Sequence, residues 1–386
     1  MNNTRQKAKA PTIAPRVVRK SITNTARDIA DWKNAKRLAQ MAQNPKFYLL
    51  QDIFNEMTDD GLLSSQTENR FGQTIAAPFE LFAEGGKVDD KLTELLTNIP
   101  VVSDIIKSIL YGRLFGYSVI ELSVENGRQS LYEVPRQNID PVNGRFYPDA
   151  TQSIYINYRK AAEYNKYLLD FCTGTLGILN KTVPHVLFKK FAQSCWSELC
   201  EIYGIPPRYV KTNTTDEAML TRAENMLKEM GAAAAFVIDT TEDFQFAQGV
   251  STNGDVYSNL IRLCNNEISL LISGAVLGQD TENGNYSKEE SSIKMLDRII
   301  DSDRRYVENC MNATVIPALM AIGWLPQSSV KFRFSAVESD EKTWEVVKSL
   351  LPYKDIDNKW LEEKYGIPVK DRDYGTTLED KNSFFV

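Results

Sequence analysis

His185 is the only histidine in the chain, and that single imidazole limits the chemistry available. Zinc sites, Ser-His-Asp triads and Cys-His pairs all need imidazole in company. A lone histidine at the start of a helical pattern suits a structural role. The five cysteines, Cys172, Cys195, Cys200, Cys264 and Cys310, are odd in number, scattered, and never spaced C-x-x-C. They read as reduced, mostly buried thiols rather than a disulfide frame or a metal site. Ser118 and Cys195 have no base near them in sequence. Asp297, Asp301 and Asp303, or Glu289 with Glu290, offer carboxylates for metal-assisted cleavage. Interspersed with Lys294, Arg298 and Arg304 on a helix, they read better as a solvated or subunit-facing surface. The sequence holds no G-x-x-x-x-G-K-[ST] loop, no G-x-G-x-x-G after a strand, no H-E-x-x-H and no EF-hand loop. The expectation is a chain that is not an enzyme, with no cofactor and no metal site.

Binding is the remaining function class, and charge narrows it. The 386 residues carry a net charge of −6, which argues against a surface that grips nucleic acid everywhere. Arg5, Lys7, Lys9, Arg16, Arg19 and Lys20 nevertheless form a purely basic N-terminal arm, broken by Pro11 and Pro15. Without those six charges the body stands near −12. Such an arm either solubilises or pairs with an acidic partner or nucleic acid. No apolar stretch approaches the roughly 20 residues of a membrane span, and no secretory signal opens the sequence. A cytosol-like compartment, or export within an assembly, is expected. At 42% hydrophobic and 25% charged residues, the chain is an ordinary folded one, long enough for two or three domains.

The elements that would position these residues follow from apolar spacing. Helices are predicted over Thr25 to Ala42 and Phe47 to Met57, the second ended by Gly61, followed by a strand over Gly72 to Phe82. Asp89 to Tyr111 reads as helix interrupted near Pro100, with Leu92, Leu95, Leu96 and Ile99 on its buried side. Strands are predicted at Ser118 to Val124, Ser130 to Val134 and Ile154 to Tyr158. A helix then runs from Pro184 to Gly204, stopped by Gly204 and Pro206-Pro207. Arg208 to Lys211, Thr215 to Met230, Ala235 to Asp239 and Asp243 to Ala247 spell a small β-α-β-β module. Asp255 to Ser273 is a second long helix, Gly278 to Ser287 a polar loop, and Lys288 to Ile322 a helix about 50 Å long that Pro317 should kink. A strand at Val330 to Phe334 and helices at Glu341 to Leu351 and Asp357 to Tyr365 close the chain. The fold class is α+β.

Four phrases stand in a telling order: ILYGRLFGYSVIEL (Ile109 to Leu122), YEVPRQNIDPVNGRFYPD (Tyr132 to Asp149), FAQSCWSELCEIYGIPPRYVK (Phe191 to Lys211) and EMGAAAAFVID (Glu229 to Asp239). With the element order, this set resembles the portal proteins of tailed bacteriophages, the Mu-type subfamily in particular, over roughly residues 45 to 335. The resemblance implies a basic arm (1–24), a mixed α/β wing (25–183), a first stem helix (184–204), a β-α-β-β clip (205–249) and a second stem helix (250–274). A tunnel loop (275–287), a long wing helix with a wing strand (288–340) and a short helical crown (341–386) would follow.

The same resemblance implies a ring, normally a dodecamer, at one capsid vertex of the virion, made in the bacterial host cytoplasm. Double-stranded DNA would be packaged and ejected through it. The tunnel loop would present Gln279, Asp280, Glu282, Asn283, Gly284, Asn285, Tyr286 and Lys288 to that DNA. An acidic or polar constriction suits sliding, because a dense Lys and Arg lining would hold phosphates. The clip, with Arg208, Tyr209, Lys211, Glu217, Arg222 and Glu224, would meet the terminase large subunit and later the head-completion or adaptor proteins. Its strands would pair across subunits. Major capsid and scaffolding proteins are the other implied partners, and no membrane is involved. Two readings compete: a monomeric adaptor or scaffold that binds an acidic partner through the arm, and a metal-dependent nuclease using Asp297, Asp301 and Asp303.

Overall fold

The computed structural model describes residues 28–204, 208–212, 216–229, 235–239, 255–276, 286–335, 340–351, 356–366 and 368. The chain divides into two units, Met1–Phe334 and Ser335–Val386.

The first unit opens with α1 (Ile29–Ala39), whose N-cap Asp28 and third residue Asp31 satisfy each other's backbone N–H groups as a capping box. α2 (Tyr48–Met57) buries Leu50, Ile53, Phe54 and Met57 at the predicted spacing. Gly61, expected to end α2, instead begins α3 (Gly61–Ile75). Asp60 makes the difference: its carboxylate accepts from Leu63 N–H at 3.0 Å, so the glycine sits in a capped first turn. The strand predicted from Gly72 is consequently shorter, β1 (Phe79–Ala83). Next come α4 (Asp90–Thr97) and α5 (Val102–Phe115), the two halves of the helix that Pro100 was expected to interrupt. Leu95, assigned to the buried side, is exposed.

α5 ends at Gly116 with φ +100°, and the chain turns directly into β2 (Tyr117–Glu125). β3 (Arg128–Glu133) and β7 (Leu168–Cys172) flank β2 in an antiparallel sheet of order β3-β2-β7. The sequence reading missed β7, which is five residues long and has no turn signal ahead of it that differs from its surroundings. Between them, the short strands β4 (Ile139–Asp140), β5 (Arg145–Phe146) and β6 (Ile156–Asn157) form a second small sheet.

α6 (Leu179–Gly204) starts five residues before the predicted boundary and carries Pro184 inside it. The proline removes one backbone donor, yet Leu179, Val183, Val186 and Leu187 are all buried, and that packing outweighs the lost bond. β8 (Arg208–Thr212), α7 (Glu217–Glu229) and β9 (Ala235–Asp239) follow, with β8 and β9 paired in parallel, Arg208 opposite Ala235. The strand expected at 243–247 lies outside the described residues. α8 (Asp255–Ser273) matches its predicted bounds.

The long helix that follows is built in three pieces. α9 (Tyr286–Cys310) runs into a π-helical turn at Met311–Val315, and α10 (Ile316–Ala321) resumes with Pro317 in its first turn. The wider π turn, closed by Ile316 N–H donating to Met311 O, comes just before the proline, which has no N–H of its own to donate. Asn312 in that turn donates to Phe332 O at 2.9 Å and accepts from Phe332 N–H at 2.7 Å, joining it to β10 (Val330–Phe334). β10 pairs antiparallel with β1, Phe79 opposite Phe334, so distant parts of the chain close one core.

In the second unit, α11 (Asp340–Leu350) and α12 (Asn358–Tyr365) bring Trp344 and Trp360 edge-on to Tyr365, at 5.5 and 6.4 Å between centroids. Gly366, at φ +64°, closes α12.

Candidate functional site

α6 and α8 each carry two apolar stripes. The inner stripes contain Val183, Val186, Leu187 and Ala192 on α6, and Cys264, Ile268 and Ile272 on α8, all buried. The outer stripes have no cover among the described residues. Val256, Leu263 and Leu270, spaced by seven along α8, are 60%, 57% and 47% exposed, and Phe188, Phe191 and Trp196 stand open on α6, Phe191 at 65%. Residues seven apart fall within about 20° of each other around a helix, so Val256, Leu263 and Leu270 form one continuous line. Exposed rows of large apolar side chains on packed helices mark an interaction surface.

The middle of α6 is anchored by buried charge, and the C-terminal end of α8 by a buried arginine. Lys189 Nζ on α6 lies 2.8 Å from the Asp60 carboxylate that caps α3, with both side chains over 90% buried. Lys190 Nζ donates to Glu56 O at 3.1 Å. Arg70 on α3 donates from Nη1 to Ile272 O at 2.8 Å, on the last turn of α8. The neighbouring Ser273 hydroxyl donates to Gln66 Oε1. Gly274 then turns at φ +72°, where a Cβ would come within 2.5 Å of Ile299 Cδ1. Residues 277–285 lie outside the described residues, and with them Gln279, Asp280, Glu282, Asn283, Gly284 and Asn285 of the expected tunnel loop. Tyr286 and Lys288 belong to the first turn of α9.

The far end of that connection is held by the same arginine. Arg70 grips Asp303 of α9 through Nε and Nη2, at 2.6 and 2.9 Å, and Arg113 of α5 adds Nη1 at 2.5 Å. Asp303 is fully buried. Of the three aspartates weighed for metal chemistry, it is therefore neutralised by two guanidinium groups, while Asp297 and Asp301 are exposed. Among the described residues no group of three or more His, Cys, Asp or Glu side chains could hold a metal ion. Arg70 and Arg113 escaped the sequence reading because a single charge inside a helix carries no sign of a partner some 190 or more positions away.

The thiols correct another expectation. Cys264 is buried, but Cys172 and Cys200 are exposed and Cys195 and Cys310 are intermediate. Burial pushes the Cys310 thiol up to about 11. His185 sits within α6 rather than at its start. Ser118 donates to Glu133 Oε1 at 2.8 Å inside the β-sheet.

In the β-α-β segment, Asp216 caps α7 by accepting from Ala218 and Met219 N–H. Lys211, Glu217, Arg222 and Glu224 are exposed, Met219 and Met226 stand open on the same helix, and Arg208 and Tyr209 lie on β8. Among the described residues β8 and β9 form a sheet of two strands. The basic arm (Arg5, Lys7, Lys9, Arg16, Arg19, Lys20) lies outside the described residues. No helix among the described residues is long and apolar enough to cross a membrane.

Among the solved structures similar to this chain are the following three. The neck of an empty GTA particle computed with C6 symmetry matches at TM-score 0.51 and 10% identity, covering 89% of this chain and 99% of that one. An HK97-family phage portal protein from Corynebacterium diphtheriae matches at TM-score 0.40 and 8% identity, covering 78% and 98%. The neck of a native GTA particle computed with C12 symmetry matches at TM-score 0.45 and 9% identity, covering 89% and 100%. At such identities the likeness concerns the fold. No curated protein matches. The family described as the portal protein of Mu bacteriophage matches residues 51–367. Over most of its length, then, this chain is a phage portal protein, and it belongs to the Mu portal family.

Proposed function

We propose that this chain assembles into the portal ring, normally a dodecamer, at one vertex of a Mu-like phage capsid. The ring is a conduit for double-stranded DNA during packaging and ejection, and it performs no catalysis. The observation that carries this reading is the outer apolar stripe of Val256, Leu263 and Leu270 beside Phe188, Phe191 and Trp196. A head-to-tail ring gives each such face a cover without leaving a free copy, because heterologous contacts close when the rotation does. α6 and α8 are the stem helices in this reading, and the connection from Gly274 to α9 is the tunnel loop. Arg70 supports this reading by holding both helices that flank the connection, through Ile272 O on α8 and Asp303 on α9.

The β8-α7-β9 segment is the clip, where the terminase large subunit and head-completion proteins dock. Among the described residues its sheet has two strands, and so short a sheet suits extension by pairing with neighbouring clips. Capsid and scaffolding proteins are the partners of the wing, and the basic arm meets an acidic surface of the assembly. The nuclease alternative fares worse, since Asp303 is fully buried and already accepts three hydrogen bonds from the Arg70 and Arg113 guanidinium groups, two cations that would repel a metal ion. Negative-stain images of the purified protein test the conduit: class averages showing a ring with a central hole support it, and solid particles of any size overturn it.

A further inference from the structure

A cleft of about 1340 Å³ opens in the first unit between α1, α9 and the β7–α6 loop, away from the outer stripes of α6 and α8. It exceeds the roughly 300–1,000 Å³ of an ordinary small-molecule site and is large enough for a length of chain. Among the described residues its lining holds four cations, Lys36, Arg113, Lys181 and Arg305, and not one carboxylate. That bias stands out in a chain of net charge −6. Arg113 is partly engaged by Asp303 and Ser302. The exposed side chains of Lys181 and Arg305 make no ion pair among the described residues.

One wall is built rather than incidental. The loop from Cys172 to Ile178 is pinned to the end of α5: Thr173 N–H and Oγ1 both donate to Gly116 O, at 3.1 and 2.9 Å. Gly177 crosses Gly116 so closely that a Cβ on it would lie 2.4 Å from Gly116 N and Leu114 O. Gly174 and Leu176, both lining the cleft, leave their N–H groups without an acceptor among the described residues. Phe47, Val142, Leu176, Ile178 and Tyr306 supply apolar surface between the cations.

We propose that this cleft binds an extended acidic peptide segment of a partner protein, carboxylates facing Lys181 and Arg305 and large apolar side chains between them. Charge complementarity selects an anionic occupant. The apolar side chains of the lining favour a peptide over nucleic acid, whose phosphates would be met by cations, hydroxyls and backbone N–H groups. The site is independent of the ring reading, since none of its residues lies on the outer stripes.

The test is fluorescence anisotropy on the full-length protein, with a fluorescein-labelled peptide of alternating aspartate and leucine. The wild type binds it, binding weakens with salt, and the Lys181→Glu/Arg305→Glu variant loses about tenfold or more in affinity. Both positions are exposed, and a thermal melt confirms that the variant folds. A Lys87→Glu/Arg128→Glu variant makes the same change in net charge at exposed positions outside the cleft, and it binds like the wild type. Equal binding by wild type and cleft variant, or equal loss in both variants, overturns the proposal. So does absence of peptide binding, including the case in which a labelled DNA duplex binds instead and is lost in the cleft variant.

Discussion

Asp303 and Arg70, 233 positions apart, form a bidentate ion pair at 2.6 and 2.9 Å with both side chains buried. Arg113 completes the group from α5, and Arg70 also reaches Ile272 O at the end of α8. One carboxylate and two guanidinium groups thus join α3, α5, α8 and α9 where the two helices flanking the polar connection leave the core. Replacing Asp303 by Asn strands a buried guanidinium. The expected loss of unfolding free energy is about 3–5 kcal/mol, measured by urea denaturation. A loss below about 1 kcal/mol would show that the pair does not brace this junction.

Gly177→Ala should be costly for a separate reason. The residue sits at φ +80°, and the new Cβ would press on backbone atoms of Leu114 and Gly116, which cannot swing aside as a side chain end can. Strain of this kind amounts to about 1–3 kcal/mol before the clash is counted. The melting temperature should fall clearly, whereas Gly127→Ala, also at positive φ but with open space around it, should fall less.

Glu121 gives a pH signature. Its carboxyl, on β2 beside Val119, Ile139 and Phe146, is raised above its usual value by desolvation. A carboxyl raised in the folded state favours folding most when protonated, and that advantage is lost as pH rises through the folded value. Glu121→Gln should therefore melt higher than wild type at pH 7, with the gap closing toward pH 4. A gap that is constant across this range would remove the titration from the explanation.

Much of this architecture was legible in the sequence, and the exceptions have physical causes. Val256 to Ile272 could be read as a helix because its apolar spacing is one continuous signal, and the phrases from Ile109 to Asp239 pointed to the portal family. Gly61 misled because a glycine after a helix usually ends it, and only the cap from Asp60 shows that another begins. Pro184 misled because prolines favour helix starts, whereas here Leu179 and Val183 are buried strongly enough to extend the helix ahead of it. Leu263 and Ile268 look alike in sequence. One faces the inner stripe and the other the outer, and nothing local distinguishes a core face from an assembly face. The Asp303 cluster was invisible for the same reason, since its partners come from helices far away in sequence.

In the proposed ring the outer stripes of α6 and α8 are subunit contacts. The direct measurement is the native mass of the wild type beside that of a Phe191→Glu/Leu263→Glu variant. Both side chains are more than half exposed in the single chain, so the variant should fold. The wild-type particle should be many times the 43.7 kDa of one chain, and the variant should run as a monomer. A wild type that stays at 43.7 kDa at high concentration and moderate salt, or a variant ring as large as the wild type, would contradict it.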